Sequence, residues 1–441
     1  MIVLTLKKIK ITNFMKNFYL KQVCYFAIVL LSCQTLSAQT ESHQAMVDSL
    51  APKPKSNMPA TPTVSATAQS KKWYDSFSIR GYTQVRYNRL LETNSKLKCD
   101  QCDKSIGENG GFFIRRARII FSGNVHDRVY FYIQPDFASA PTSTTNNFAQ
   151  IRDLYFDVAL DEKKEYRFRI GQSKVPFGFE NMQSSQNRLP LDRADPTNSA
   201  LSNERDLGLT FYYAPAKMRE LFAKLVNDGL KGTGDYGMIG LGAYNGQTAN
   251  KTESNNKPHF VARLTYPFEL ANGQIMEASI QGYTGKYNLN ADLRNVGVKF
   301  PAGAEFLDER FATTFVLYPK PFGIFVEFNS GSGPQFDKAT DSVQVKKLTG
   351  GYLTTTYRAV VGNQVVMPYL RYQWYQGGKK HEIDARSYDV KEWELGVEWQ
   401  IYKNFELTAA YTISERRFED FKVQENLQRG NLMRIQAQLN F

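Results

Sequence analysis

The sequence predicts an all-β chain that folds as a transmembrane antiparallel β-barrel of about sixteen strands. From Phe77 to Phe441, apolar and polar residues alternate in runs of roughly ten, and short connections alternate with long ones. The final segment, Arg434–Phe441, alternates without a break and ends on an aromatic ring. In such a barrel one face of each strand meets lipid and the other meets water, and connections are short on one side of the membrane.

Composition and charge agree with a barrel and narrow its partners. With 42% hydrophobic residues, 30 Phe and 25 Tyr, the chain suits an apolar belt around a wet lumen, although a soluble β-sandwich fits these totals nearly as well. The formal net charge is +12, and residues 1–38 carry five lysines and no acid, which leaves +7 for the remainder. This balance favours anionic solutes or anionic lipid. The absence of a clustered basic stripe argues against nucleic-acid binding.

Residues 1–38 read as a secretory signal peptide. Lys16 and Lys21 precede the apolar run 23–31, and the small-residue sequence 36–38 supplies a cleavage site. The apolar run is shorter than the roughly 18 residues that a membrane-spanning helix needs. Cys33 leaves open a second interpretation, cleavage as a lipoprotein. Residues 39–75 are rich in Pro, Ser, Thr and Ala, which predicts a flexible periplasmic linker ahead of a barrel domain at 76–441.

Cys99 and Cys102 are the two cysteines that remain after cleavage. Their spacing permits a local disulfide in an exposed loop, which an oxidising compartment favours. A zinc site is the alternative, but zinc takes four ligands and no second cysteine pair or nearby histidine accompanies these two. We therefore predict a disulfide and no metal site.

The alternation can be divided into sixteen strands, an even number as in bacterial single-chain barrels. Every odd-numbered connection is long, including 176–206 and 331–348, and these are assigned to the cell exterior. The predicted strands are 77–87, 112–123, 129–137, 150–160, 166–175, 207–214, 235–245, 258–266, 275–287, 309–318, 322–330, 349–359, 365–376, 388–402, 405–415 and 431–441.

One even-numbered connection, 215–234, is unusually long. Its apolar residues, among them Phe222 and Leu225, recur at helical spacing between Pro215 and Gly229. This predicts a short amphipathic periplasmic helix. A helix that docks a partner is the alternative.

Four sequence blocks resemble a known family. Residues 171–180 (GQSKVPFGFE) are similar to the signature of the phosphate-selective porin O and P family, and 113–118 (FIRRAR) resembles its second-strand motif. Residues 151–155 (IRDLY) and 243–246 (AYNG) resemble further blocks, in the family's order. The resemblance spans residues 77–441. It implies a sixteen-stranded outer-membrane porin, a homotrimer and passive diffusion of anions such as phosphate. The linker and the cysteine pair are not expected from the family.

Basic side chains on the polar strand faces are the candidate solute-binding residues. Rings of Arg or Lys at a constriction select anions, and the arginine fork matches phosphate oxygens. The third exterior loop, 176–206, is predicted to fold inward and narrow the pore, as the corresponding loop does in sixteen-stranded porins. The candidates are Arg80, Arg86, Arg116, Arg118, Arg167, Arg169, Lys174, Arg193 and Arg371, with Arg188, Arg205 and Arg263 beside them.

At any one of these positions, an arginine or lysine pairs with a carboxylate of the lumen wall more often than it contacts the solute directly. Asp153, Asp157 and Glu327 are among the acids expected on the same faces. A cluster of arginines from nearby strands is a better indication of solute contact. The cluster consists of Arg116, Arg118, Arg167 and Arg169.

Other functions stay open at this point. A weakly selective porin for sugars or peptides predicts the same fold, and a closed structural or adhesin barrel would conduct nothing. An outer-membrane hydrolase would need a Ser-His-carboxylate set; His259 could face the lumen, but no serine motif accompanies it. We therefore predict no catalytic residues and no cofactor. Expected partners are outer-membrane lipid, the barrel-assembly machinery acting on the C-terminal strand, and no nucleic acid.

Overall fold

The computed structural model of the chain describes residues 73–99, 110–138 and 149–441. The predicted signal peptide, nearly all of the predicted linker and Cys102 lie outside these ranges. Cys99 is disulfide-bonded. The last linker residues belong to a short 3-10 helix, Trp73–Ser76, that leads into the first strand. Among the described residues, no helix is both long enough and apolar enough to cross a bilayer.

The described strands form one closed antiparallel sheet. Each strand pairs with its neighbours in sequence, and β1 pairs with both β2 and β17. The short β13 continues β12 past Arg358, and both pair with β14, so the described wall has sixteen strands. All sixteen predicted strands are confirmed. Their bounds are β1 Phe77–Leu90, β2 Phe112–His126, β3 Val129–Asp136, β4 Gln150–Ala159, β5 Tyr166–Lys174, β6 Arg205–Tyr213, β7 Ile239–Tyr244, β8 His259–Glu269, β9 Ile275–Asn288, β10 Glu305–Leu317, β11 Phe322–Asp337, β12 Ser342–Tyr357, β13 Ala359–Val361, β14 Gln364–Gly378, β15 Ser387–Tyr402, β16 Phe405–Glu419 and β17 Leu427–Asn440.

The barrel closes where its two ends meet. The backbones of Gly81 and Phe441 exchange two hydrogen bonds, at 2.8 and 3.0 Å. A Cβ atom at position 81 would lie 2.6 Å from the Phe441 ring, so only glycine leaves room for the terminal aromatic against β1.

Side chains alternate between the two faces of the wall, as the sequence predicts. In β15, Glu394 and Glu398 are buried on the inner face, whereas Trp393, Leu395 and Trp399 stand exposed on the outer face. An outward apolar band with inward polar groups is the arrangement of a transmembrane barrel.

The prediction of a long loop at residues 331–348 is wrong. β11 runs to Asp337 and β12 begins at Ser342, so only residues 338–341 connect them. The extended parts carry polar residues, and backbone pairing from Ser332–Lys347 to Asp337–Ser342 holds them together. Strand prediction from apolar alternation stops where the lipid-facing band stops, whereas backbone hydrogen bonding does not. For the same reason β16 reaches Glu419, inside the predicted loop 416–430.

Three helices lie in two long connections. Helices α1 (Phe179–Met182) and α2 (Asp195–Ala200) belong to residues 175–204, and α3 (Ala216–Asn227) follows β6. The predicted helix within 215–234 is thereby confirmed. We term the barrel end with connections 175–204 and 245–258 the loop end, and the end with the tight turns 127–128 and 403–404 the turn end.

Candidate functional site

Residues 175–204, here termed the first inserted segment, contact inner-face side chains on several strands. On β14, Arg371 pairs with Glu180 at 2.9 Å. On β11, Glu327 accepts a hydrogen bond from the Phe179 backbone at 2.6 Å. Polar contacts therefore attach α1 to the β11–β14 side of the wall.

The same segment is joined to strands near the barrel closure. Asp195, at the start of α2, pairs with Lys379 after β14 and with Arg416 of β16, the latter at 2.8 Å, and all three side chains are 0% exposed. Asp192 pairs with Arg86 of β1 at 3.4 Å and with Arg434 of β17. A carboxylate and its cations can share a dry interior only when they pair closely, so these contacts order the segment between walls that lie far apart in sequence.

Residues 214–238, the second inserted segment, approach from the turn end. Lys231 reaches Glu398 of β15 at 2.6 Å, and both side chains are buried. The Lys231 carbonyl also accepts a hydrogen bond from the Gln183 side chain at 2.7 Å. The two inserted segments, which flank β6 in sequence, thus touch each other.

An apolar cluster, here termed the plug, joins the two inserted segments to the wall. Phe222 and Leu225 of α3 are almost completely buried, which explains the helical spacing of apolar residues in the sequence. The plug fills the inner side of β9–β14. It consists of Phe179, Leu189, Ala194, Phe222, Leu225, Leu230, Ile275, Val316, Tyr318, Phe325, Tyr352, Met367 and Tyr369.

The inner side of β2–β6 instead borders two polar cavities. The first, here termed the loop-end chamber, has a volume of about 340 Å³ and is lined by eight basic residues and three acidic ones, Asp192, Glu204 and Asp292. Its basic residues are Arg115, Arg116, Arg118, Arg152, Arg188, Arg193, Arg205 and Lys251.

Glu204 is the acidic centre of the loop-end chamber. It pairs with Arg188 at 2.9 Å and Arg205 at 2.6 Å, and lies 3.7 Å from Lys174. Burial alone would raise the pKa of Glu204, but the surrounding cations hold it well below its usual range. Burial lowers the pKa of Arg193 to about 10, so its guanidinium stays charged at neutral pH. The chamber therefore retains an excess of positive charge.

The second cavity, here termed the turn-end chamber, has a volume of about 510 Å³ and is lined by six basic residues and two acidic ones. Asp157 pairs with Arg169 at 2.8 Å, and Asp235 pairs with Arg167 at 2.6 Å and with Arg219 at 2.7 Å. Its basic residues are Arg80, Arg128, Lys164, Arg167, Arg169 and Arg219.

All nine predicted solute-binding residues lie on the inner side of the barrel, but most are already ion-paired. The two exceptions within the described part of the chain are Arg80, exposed in the turn-end chamber, and Arg116, which donates a hydrogen bond to the Gln84 side chain at 2.6 Å. The pairs are Arg86–Asp192, Arg118–Asp136, Arg167–Asp235, Arg169–Asp157, Lys174–Glu204, Arg193–Glu204 and Arg371–Glu180.

Sequence reasoning missed several inner-face cations that hold the inserted segments. Arg416 falls in the predicted loop 416–430, and Lys231 lies in a connection expected to remain outside the barrel. Arg434 lies on the polar face of the last strand, so the alternation of that strand could have identified Arg434 as an inner-face residue. His259 is completely buried, 3.3 Å from Asp308. No cluster of potential metal ligands occurs among the described residues.

A closed sixteen-stranded barrel with an apolar outer band and a polar interior defines an outer-membrane channel. The chain belongs to the family described as phosphate-selective porin O and P, whose model matches residues 95–441. The protein is therefore a porin of the outer membrane.

Solved porin structures share this fold at low sequence identity. The outer-membrane channel DcaP of Acinetobacter baumannii is 15% identical, with a TM-score of 0.51, and the alignment covers 83% of this chain and 97% of that one. OmpF of Salmonella typhi, solved with daunomycin, is 11% identical, with a TM-score of 0.52 and the same coverages of 83% and 97%. No curated protein sequence matches the chain.

Proposed function

We propose that this porin conducts small anions, phosphate among them, along the β2–β6 side of the lumen. The observation that carries the proposal is that both chambers border β2–β6 and are lined by more cations than carboxylates. A charged constriction between low-dielectric walls concentrates ions of opposite sign. The description of the family supports phosphate as one of the solutes.

Within this path, the predicted residues would take two kinds of role. Arg80 and Arg116, without an ion pair to described residues, would contact the solute directly. Arg118, Arg167, Arg169, Lys174 and Arg193 would contribute to the positive potential while paired. Arg86 and Arg371 would act as positioning residues, since they bind Asp192 and Glu180 of the first inserted segment. We propose that this segment narrows the path from the loop end.

The reversal potential of the reconstituted protein across a KCl gradient tests the proposal. Anion selectivity, with current blocked by added phosphate, is the expected result. Conductance without anion preference would replace the proposal with a weakly selective porin for sugars or peptides. Absence of conductance would instead indicate a closed structural barrel.

Arg116→Glu should move the reversal potential toward cation preference, because a negative charge replaces a positive one that no carboxylate of the described residues neutralises in the loop-end chamber. Arg429→Glu is the matched control, since Arg429 is exposed on the outer side of β17 and pairs with Glu415 at 2.6 Å. Equal shifts in the two variants would remove Arg116 from the path.

We further propose that the porin forms homotrimers in outer-membrane lipid and that the barrel-assembly machinery recognises its last strand. The outer face of β17 presents Ile435 and Leu439, and Phe441 is exposed beside Gly81. Deleting Phe441 should lower the amount of protein in the outer membrane. Chemical crosslinking of membranes should give a trimer band.

A further inference from the structure

The two chambers differ in their aromatic content. Four tyrosines line the turn-end chamber, namely Tyr130, Tyr132, Tyr155 and Tyr236, whereas Tyr287 is the tyrosine of the loop-end chamber. Both cavities carry excess positive charge, so charge alone does not explain the tyrosines. Aromatic faces offer a stacking surface for planar groups.

Two of these tyrosines form a stack with an arginine. The rings of Tyr132 and Tyr155 are 5.0 Å apart and 13° from parallel, and the Arg169 guanidinium lies 4.0 Å from the Tyr155 ring centre. Because β3 and β5 flank β4, Tyr132 and Arg169 lie on opposite sides of Tyr155. Asp157 fixes the guanidinium through two hydrogen bonds, at 2.8 and 2.9 Å.

Gly171 leaves room for this stack. It lies opposite Tyr155 with φ of 125°, and an added Cβ would meet the Leu154 carbonyl at 2.3 Å and the Tyr155 Cβ at 3.2 Å. A larger residue there would displace Tyr155, so the backbone supports the ring arrangement.

The stack ends at Tyr132. On the side away from Tyr155, the residue opposite Tyr132 is Ser122, and Ser78 lies opposite Ser122. Within the described part of the chain, no second ring and no guanidinium stacks on Tyr132. Short side chains therefore border the free face of Tyr132, where one more planar group could extend the stack.

A cation that forms no ion pair with any residue of the described ranges lies beside this gap. Arg80 is on β1, two residues from Ser78 and on the same inner face, and is exposed in the chamber. Arg167, Arg169 and Arg219 are already engaged by Asp157 and Asp235. Of the six basic residues of the chamber, Arg80 is the one on β1 beside Ser78, so it is placed to bind an anionic group that enters this gap.

We propose that the turn-end chamber is a binding site for anionic solutes that carry a planar ring. The ring stacks on Tyr132 over Ser122, and the carboxylate or other anionic group bonds to Arg80. The chamber volume of about 510 Å³ is in the range of small-molecule sites. The proposal rests on the proposed function, because solutes would reach the chamber along the anion path described above.

Binding of benzoate and of cyclohexanecarboxylate to the full-length protein in detergent tests the proposal by calorimetry. The two probes share charge and approximate size, but only benzoate has an aromatic ring. Benzoate should bind about 2- to 10-fold more tightly, as an added aromatic pair implies. Equal affinities in the wild-type protein, or tighter binding of cyclohexanecarboxylate, would overturn the proposal without any variant.

Variants then locate the site. Tyr132→Leu should remove the preference for benzoate, Tyr132→Phe should keep it, and Arg80→Gln should weaken both probes alike. Tyr213→Leu is the matched control, because Tyr213 stacks on Tyr166 at 4.7 Å on the outer wall. A preference that survives Tyr132→Leu would overturn the assignment.

The bilayer experiment separates this inference from the proposed function. If the channel is anion-selective but binds the two probes equally, only the proposed ring-binding site is contradicted. If the protein prefers benzoate but shows no anion selectivity, only the proposed anion path is contradicted.

Discussion

The two halves of the lumen have the same kind of strand wall, but the half beside β9–β14 is filled and the half beside β2–β5 contains open chambers. Beside β9–β14 the inner face carries the apolar residues Val316, Phe325 and Met367 among charged ones such as Arg371, and the plug packs against the apolar residues. Beside β2–β5 it carries Arg116 and Arg169, and the chambers remain open. The outer faces give no hint of the difference, since both halves present an apolar band. What distinguishes the two halves is therefore the set of apolar inner-face residues on β9–β14, against which the inserted segments pack.

Filling the lumen also requires that buried charges be neutralised. The inserted segments bring Glu180, Asp192, Asp195 and Lys231 into the interior, and each meets an opposite charge from the wall. Removing one partner of such a pair leaves an uncompensated charge, which costs more than the pair itself contributes. The charged contacts of the inserted segments should thus be sensitive to substitution.

The largest effect is expected from Asp195→Ala. This change leaves the fully buried Lys379 without its carboxylate, whereas Arg416 keeps a second ion pair with Glu392 at 2.9 Å. It should lower the free energy of unfolding by about 3–5 kcal/mol, the cost of one uncompensated buried charge. Urea titration of the refolded barrel measures the loss, and single-channel conductance should rise as the first inserted segment loosens. Asp292→Ala is the control, since Asp292 lines the loop-end chamber on the exposed helix 291–293. Equal losses in the two variants would contradict the comparison.

Acid should reproduce part of this effect. Burial opposes ionisation of Asp195, yet Arg416 and Lys379 hold the pKa of Asp195 below its usual range. A depressed pKa gives stability that is present above the ordinary carboxyl value of about 3.9 and is lost as the pH falls through the folded value. Unfolding followed from pH 6 to pH 2 should show loss of stability only below roughly pH 4. Asp195→Asn should blunt that loss, and an unchanged acid profile would contradict this origin.

The second inserted segment should respond more weakly. Lys231→Met leaves Glu398 with a hydrogen bond from Gln400 at 2.8 Å, so the expected loss is about 1.5–3 kcal/mol, the contribution of a hydrogen bond to a charged group. The double variant Lys231→Met with Glu398→Gln should recover most of it, because no unpaired carboxylate remains. A double variant as unstable as the single one would show that Lys231 acts through packing instead.

The contrast between the halves also marks what the sequence could predict. Period-two alternation located all sixteen strands and the inner face, because each strand decides locally which side chains meet lipid. Helical spacing likewise identified α3. The partners of the inserted segments were not predictable, since Asp195 and Arg416 are 221 residues apart and meet only after closure. The ends of β11 and β16 escaped prediction because backbone pairing continues beyond the apolar band.

The smallest effect concerns the outer wall, where the halves do not differ. Tyr166 and Tyr213 stack at 4.7 Å on the lipid-facing side near the turn end, so Tyr213→Leu should cost about 0.5–1.5 kcal/mol of stability. The reversal potential should stay unchanged, because no lumen charge moves and the neighbouring Arg167–Asp235 pair is on the inner face. A shift in reversal potential as large as that expected for Arg116→Glu would mean that a change on the lipid-facing wall alters ion selectivity in the proposed anion path. The chemistry of the inner face alone would then not explain which half of the barrel stays open.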